Sequence, residues 1–298
     1  METALSRPLI SRAARHMLAA TLWFSIMNVF IRKVNHLPEM EVVFFRCLTP
    51  MLWCFISLHQ KQINWLGSNR KLLLLRGLFG TVSLYAFIMT IHHMPLGTAV
   101  TIQYLSPVFT TIAAIFILKE HVKWMQWLFF LVSFSGIALI KGIDERVSMF
   151  YLFVGIFSAI FSALAYNMVR SLKQREHPLV VVLHFQIFGV VAGFIFMLFN
   201  WQTPQGLDWL YLLLIGVCTQ LGQINLTQAL QKEKISSISM LNYLGILYAL
   251  FFGYLFFGET YGWVSLAGMI LVIAGVLTSV IFNTSIKQKV ELKNYANP

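Results

Sequence analysis

Two stretches decide the fold: SPVFTTIAAIFILKEHVKW at 106–124 and GILYALFFGYLFFGETYGW at 245–263. Each is an apolar run that stops at a glutamate and resumes at a tryptophan. Glu120 and Glu259 differ by 139 positions, and so do Trp124 and Trp263. The same offset relates Tyr104 to Tyr243, Gly136 to Gly275, Asn28 to Asn167, Gly77 to Gly216, and Gln103 to Asn242. One ungapped shift that also registers the breaks between apolar runs is a duplicated module.

The module is built for lipid. The 298 residues are 58% hydrophobic and 11% charged, where a soluble domain carries about a quarter charged residues. Apolar runs fall at 17–35, 40–59, 71–93, 96–118, 123–140, 149–170, 178–199, 208–230, 235–257 and 263–282. Each is near the ~20 residues that cross the hydrocarbon core as a helix. The expected fold is an all-α membrane protein of ten transmembrane helices, with repeats over 17–140 and 149–282. Tails at 1–16 and 283–298 flank them, and the basic start is expected to be a retained cytoplasmic tail. With the N-terminus inside, inner segments hold 17 Lys and Arg and outer segments hold 5, so both termini are expected in the cytoplasm. Five is odd, so the second copy enters from the opposite side, giving a five-plus-five inverted repeat. That plan belongs to secondary transporters, whose site lies near the midplane between the repeats.

The net charge of +11 is dispersed among short loops as a topology signal. It forms no nucleic-acid patch. Cys47, Cys54 and Cys218 carry no ligand spacing, and His92-His93 lacks further ligands, so no metal and no cofactor is expected. A membrane enzyme would want buried acids or a nucleophile with its base. All eleven acidic residues fall in loops, tails or helix ends, so an enzyme is disfavoured, and so is proton coupling through a buried carboxylate. A channel stays open as a rival to a carrier.

The stretch RGLFGTVSLYAFIMTIHHMPLGTAVTIQYLSPVFTTIAAIFILKE (76–120), its echo YLGILYALFFGYLFFGET (243–260) and FFRCL (44–48) resemble the drug/metabolite transporter superfamily, EamA type. The resemblance covers about 17–282 and leans toward the branch with S-adenosylmethionine carriers and vertebrate solute carriers. It implies an inner-membrane carrier of small organic metabolites, with a cavity lined by the first, third, fourth, sixth, eighth and ninth spans. The bilayer and a small-molecule substrate are the implied partners, and monomer and homodimer both remain open.

Polar residues on those spans are the substrate-binding candidates: Asn28, Tyr85, Gln103, Tyr104, Tyr166, Asn167, Gln220, Gln223, Thr227, Asn242 and Tyr243. Gln220, Gln223 and Thr227 share one helical stripe. Amides and phenols at lipid depth point into the bundle, either as interhelical glue or as a site. Tyr248 and Trp23 are further aromatic candidates, while Trp124, Trp127 and Trp263 suit interfacial anchors. Such a set favours a neutral or zwitterionic planar metabolite: an amino acid, a nucleoside-like or a vitamin-like compound. S-adenosylmethionine is the alternative, its sulfonium met by aromatic faces.

Four residues carry expected gating or structural roles. Arg46 lies about 9 Å inside the second span; it either clamps a substrate anion or snorkels outward or pairs with Glu41, Glu259 or free carbonyls. Pro107 kinks the fourth span, as a hinge or a static bend. Glu120 and Glu259 sit at opposite membrane boundaries, as gate latches or caps.

Overall fold

The computed structural model describes residues 12–117, 123–172, 175–232, 241 and 243–296. Among these the protein is all helix and turn. The elements are α1 (Arg12–Lys33), α2 (Glu39–Gln60), α3 (Arg70–His93), α4 (Leu96–Gln103), α5 (Ser106–Ile117), α6 (Trp124–Ile143), α7 (Met149–Leu172), α8 (Pro178–Asn200), α9 (Asp208–Lys232), α10 (Leu244–Phe257) and α11 (Trp263–Ala296). With α4 and α5 counted as one crossing, nine spans among the described residues are long and apolar enough for a membrane, and α10 is a shorter apolar helix. The last helix runs on to Ala296, past the expected end at 282.

Local chemistry sets the boundaries. Pro38 and Pro95 hold the extended conformation that precedes α2 and α4, and a proline ring fixes φ at a helix entrance without wasting a donor. Before α8, the His177 side chain accepts from the Leu179 N–H, and Pro178 opens the helix. Gly258 ends α10 at φ +61, a left-handed cap that glycine adopts without Cβ strain.

A shift of 139 positions carries Glu39 onto Pro178, His93 onto Lys232 and Trp124 onto Trp263, each a helix end in both halves. Packing follows the same exchange. α1 lies on α9 as α7 lies on α3, α2 on α9 as α8 on α3, and α5 on α7 as α10 on α1. α2 with α8, and α6 with α11, pair with their own equivalents. Glycines show how close that last pair is. A Cβ added to Gly136 would lie 2.5 Å from the Gly268 carbonyl oxygen, and one on Gly275 would lie 2.6 Å from that of Phe129. Phe129 and Gly268 are themselves 139 apart. Backbones approach this closely in membranes because dispersion contacts, rather than water exclusion, hold lipid-embedded helices together.

The exterior is apolar: Phe116, Phe199 and Trp263 are 78, 80 and 87% exposed. A bundle that presents such rings outward is clothed by lipid, not water. Trp124 and Trp127 are exposed too, at the start of α6, as an interfacial belt needs.

Candidate functional site

The fourth span is two helices. The chain leaves helical geometry at Tyr104 and Leu105, between α4 and α5, with Pro107 in the first turn of α5. In the second half Tyr243, the residue 139 positions after Tyr104, sits in a turn just before α10 starts at Leu244, with Ile246 in the place of the proline. Breaks at membrane depth are tolerated where the freed groups are buried in protein or line a cavity.

The two tyrosines meet. Their ring centroids lie 5.1 Å apart at 41°, Tyr243 is buried, and a Cβ on Gly245 would fall 2.4 Å from the Tyr104 hydroxyl. Tyr166 on α7 is half exposed and within electrostatic reach of Tyr104, Arg46 and Arg76. Gln103 accepts a 2.8 Å bond from the Ser158 hydroxyl, which is also paired with Ser83. Asn167 donates to the Thr110 and Ala163 carbonyls, and its own oxygen is buried without a partner. Asn28 and Gln220 likewise hold buried unpartnered oxygens. Tyr85 and Gln223 are partly buried. Gln103 and one end of Asn167 are therefore interhelical glue, while Asn28, Gln220 and the other end of Asn167 hold unsatisfied acceptors.

Asn242 and Glu120 lie outside the described residues, and α9 carries Thr227 on its backbone only. Sequence reasoning passed over two groups. Gln186 on α8 is fully buried with both amide atoms unpartnered; it is the one amide between Pro178 and Phe199, in a span whose other polar side chain is His184, which was the signal. Arg76 was counted only as an inner topology charge.

Arg46 is 8% exposed, and among the described residues no ion pair with a carboxylate includes it. Its Nε reaches the Met27 sulfur at 3.4 Å, while Nη1 has no partner. Glu41, the first acid proposed for it, accepts instead from the Gln202 N–H.

At the far end of α4, Glu259 is buried over a helix start. Its carboxylate accepts from the Leu96 N–H at 3.0 and 2.8 Å and from the Tyr261 hydroxyl at 2.6 Å. Tyr261 in turn accepts from the Gly97 N–H at 3.0 Å. The pair satisfies two of the donors that a helix N-terminus leaves open, with negative charge at the positive end of its dipole. Burial, and then the Glu259 charge, hold the Tyr261 phenol well above its usual range, so it stays a donor. Arg146 binds both Asp144 oxygens at 2.9 Å and the Thr260 carbonyl at 2.6 Å, tying this turn to the end of α6. Arg32 donates to the Ile91 and His92 carbonyls at the end of α3. A cleft opens beside the latch, lined by Arg32, His93, Pro95, Arg146 and Glu259.

The EamA-like transporter family matches the chain twice, over residues 13–142 and 149–281. The chain belongs to that family. The matched blocks are the two halves that exchange under the 139-residue shift. Among named relatives, the pseudopaline exporter CntI of Pseudomonas aeruginosa (strain UCBPP-PA14) is 28% identical over 261 residues, 87% of this chain and 92% of that one. Solute carrier family 35 member G1 of Homo sapiens is 29% identical over 277 residues, 86% and 75% of the two chains. The S-adenosylmethionine uptake transporter of Rickettsia felis is 26% identical over 250 residues, 82% and 83%. A solved crystal structure superposes with a TM-score of 0.65 over 91% of this chain and 98% of its own, at 14% identity, which speaks for the fold alone. These matches place the protein among multi-pass membrane transporters.

Proposed function

We propose that the protein is a secondary carrier that moves a small organic metabolite across the inner membrane by alternating access, with both termini cytoplasmic. The observation that carries this reading is the two-fold exchange of packing, with a turn at the equivalent tyrosine, Tyr104 and Tyr243, in each half. Two copies of opposite orientation give one gate each, and a site at their junction can face either side in turn. Tyr104 and Tyr243 form the floor of that site. Asn28, Tyr85, Gln103, Tyr166, Asn167, Gln220, Gln223, Thr227 and Asn242 supply its polar wall.

Glu259 is the outer latch in this scheme, holding α4 through Leu96 and Tyr261. Glu120 is its equivalent for the inner gate, and Pro107 eases the bend of the fourth span. An amide-and-phenol wall favours a neutral or zwitterionic planar metabolite. The runner-up is S-adenosylmethionine, favoured by the name of the R. felis relative; its sulfonium would need the tyrosine faces.

A thermal-shift screen of the purified protein against a metabolite library, followed by uptake of the best hit, tests the site. Asn28→Ala, Gln223→Ala and Tyr243→Ala should each weaken that uptake. Transport untouched by all three would place the site elsewhere.

A further inference from the structure

Two arginines inside the bundle meet no acid among the described residues. Arg46 on α2 has a buried, unpartnered Nη1, and apart from the Met27 sulfur only its neighbour Cys47 is within hydrogen-bond reach. Arg76 on α3 has buried, unpartnered Nε and Nη1 atoms, and its guanidinium lies 4.5 Å over the Phe185 ring. Both ion pairs among the described residues are elsewhere, His36 with Asp208 and Arg146 with Asp144. A ring face or a thioether offsets only part of the cost of burying a guanidinium, and an uncompensated buried charge in a membrane bundle marks a function.

Their placement is symmetric although their sequence positions are not. Phe185, under Arg76, is the residue 139 positions after Arg46. The packing exchange therefore relates the place of one guanidinium to the place of the other. At 1.5 Å per residue, Arg46 lies about 10 Å inside the start of α2 and Arg76 about 9 Å inside the start of α3. Those two starts belong to opposite ends of the bundle. Both arginines lie within electrostatic reach of Tyr166, which also reaches Tyr104. The two cations and Tyr104 thus share one neighbour, Tyr166.

We propose that Arg46 and Arg76 form an oxyanion subsite, so that the transported metabolite carries a carboxylate or phosphate group. This rests on the carrier reading and shifts its substrate class: neutral metabolites are set aside in favour of zwitterions and anions with an exposed oxyanion. A planar guanidinium fork meets a carboxylate or phosphate with two parallel hydrogen bonds. On helices that start at opposite ends of the bundle, the two arginines offer the anion a station whichever way the site opens. Between ligands the positive field draws an oxyanion in, and it disfavours a bare cation.

The test uses the purified full chain in lipid nanodiscs at constant ionic strength, with succinate, phenylalanine and inorganic phosphate as probes. Succinamide and phenylalaninamide are the matched controls without the carboxylate. At least one oxyanion probe should raise the melting temperature saturably, its amide control should not, and the carboxylate and phosphate arms tell the two chemistries apart. Arg46→Gln and Arg76→Gln should each weaken that binding at least about tenfold, the size of a lost charge-assisted pair. Without probe, both variants should melt no lower than wild type, because the charge removed had no acid partner. Variants that melt well below wild type, amides that bind as well as acids, or no saturable oxyanion binding would each overturn the proposal. Exchange of a substrate lacking any oxyanion at full rate in both variants would remove the subsite and leave the carrier. Arginine-dependent oxyanion binding in a protein that exchanges nothing would do the reverse.

Discussion

Tyr104 and Tyr243, 139 positions apart in sequence, meet with ring centroids 5.1 Å apart and planes tilted by 41°. Equivalent residues of a two-fold pair touch only when they lie near its axis, so this contact marks where the halves meet. The Tyr104 hydroxyl fills the space in which Gly245 lacks a side chain.

That arrangement makes a suppressor prediction. Gly245→Ala sets a methyl carbon 2.4 Å from the Tyr104 hydroxyl, and overpacking of this kind costs roughly 1–3 kcal/mol. Melting temperature and uptake should both fall. Tyr104→Phe removes the clashing oxygen, so the double variant should recover most of the lost stability, a coupling that a double-mutant cycle reads directly.

The α6–α11 seam predicts matched losses. Gly136→Ala and Gly275→Ala each meet a backbone carbonyl, at 2.5 and 2.6 Å, which cannot swing away as a side chain would. Both should lower the melting temperature by similar amounts, because the two sites are equivalent. Gly262→Ala, with nothing within 4 Å of the added carbon, should leave it unchanged.

The Glu259 latch predicts an ordered series. Glu259→Ala removes the acceptor for Leu96 and for Tyr261 together, and losing such a cap costs about 1–2 kcal/mol. Glu259→Gln keeps one acceptor oxygen and should cost less, while Tyr261→Phe strands only the Gly97 N–H. Amide exchange at Leu96 and Gly97 should quicken in that order. As gates, Glu259→Gln and Glu120→Gln should impair opposite half-steps of transport; equal loss of folding in both would make them caps.

The Asp144–Arg146 pair gives a pH prediction with a definite sign. The Arg146 hydrogen bond is the chief cause that holds the Asp144 carboxyl below its usual value. A depressed carboxyl stabilises the fold above its unfolded pKa of about 3.9 and loses that contribution as pH falls through the folded value. Melting temperature should therefore be insensitive to this pair between pH 7 and 5 and decline below about pH 4. In Asp144→Asn the acid decline should be shallower.

Much of the fold was legible because period and register survive in sequence. Trp124 and Trp263 open α6 and α11, and the shift that relates them also lands His93 on the end of α9. The turn at Tyr243 was not legible, since Ile246 gives no cue where Pro107 does. Arg76 was hidden by the positive-inside count, which tallies cations near a boundary without asking how deep each sits. Arg46 was visible as a buried charge, but its lack of an acid partner emerges only when Glu41 is seen turned toward Gln202. Gln186 lies on α8, outside the spans that the resemblance puts around the cavity, and its repeat equivalent is Cys47.

Counterflow in proteoliposomes tests the carrier directly. The protein is reconstituted with the metabolite that gives the largest thermal shift, loaded inside without label, and labelled metabolite is added outside at low concentration. Alternating access predicts transient accumulation of label above equilibrium, abolished or strongly slowed in Tyr243→Ala. Label that only equilibrates, with no overshoot at any internal load, would contradict the account.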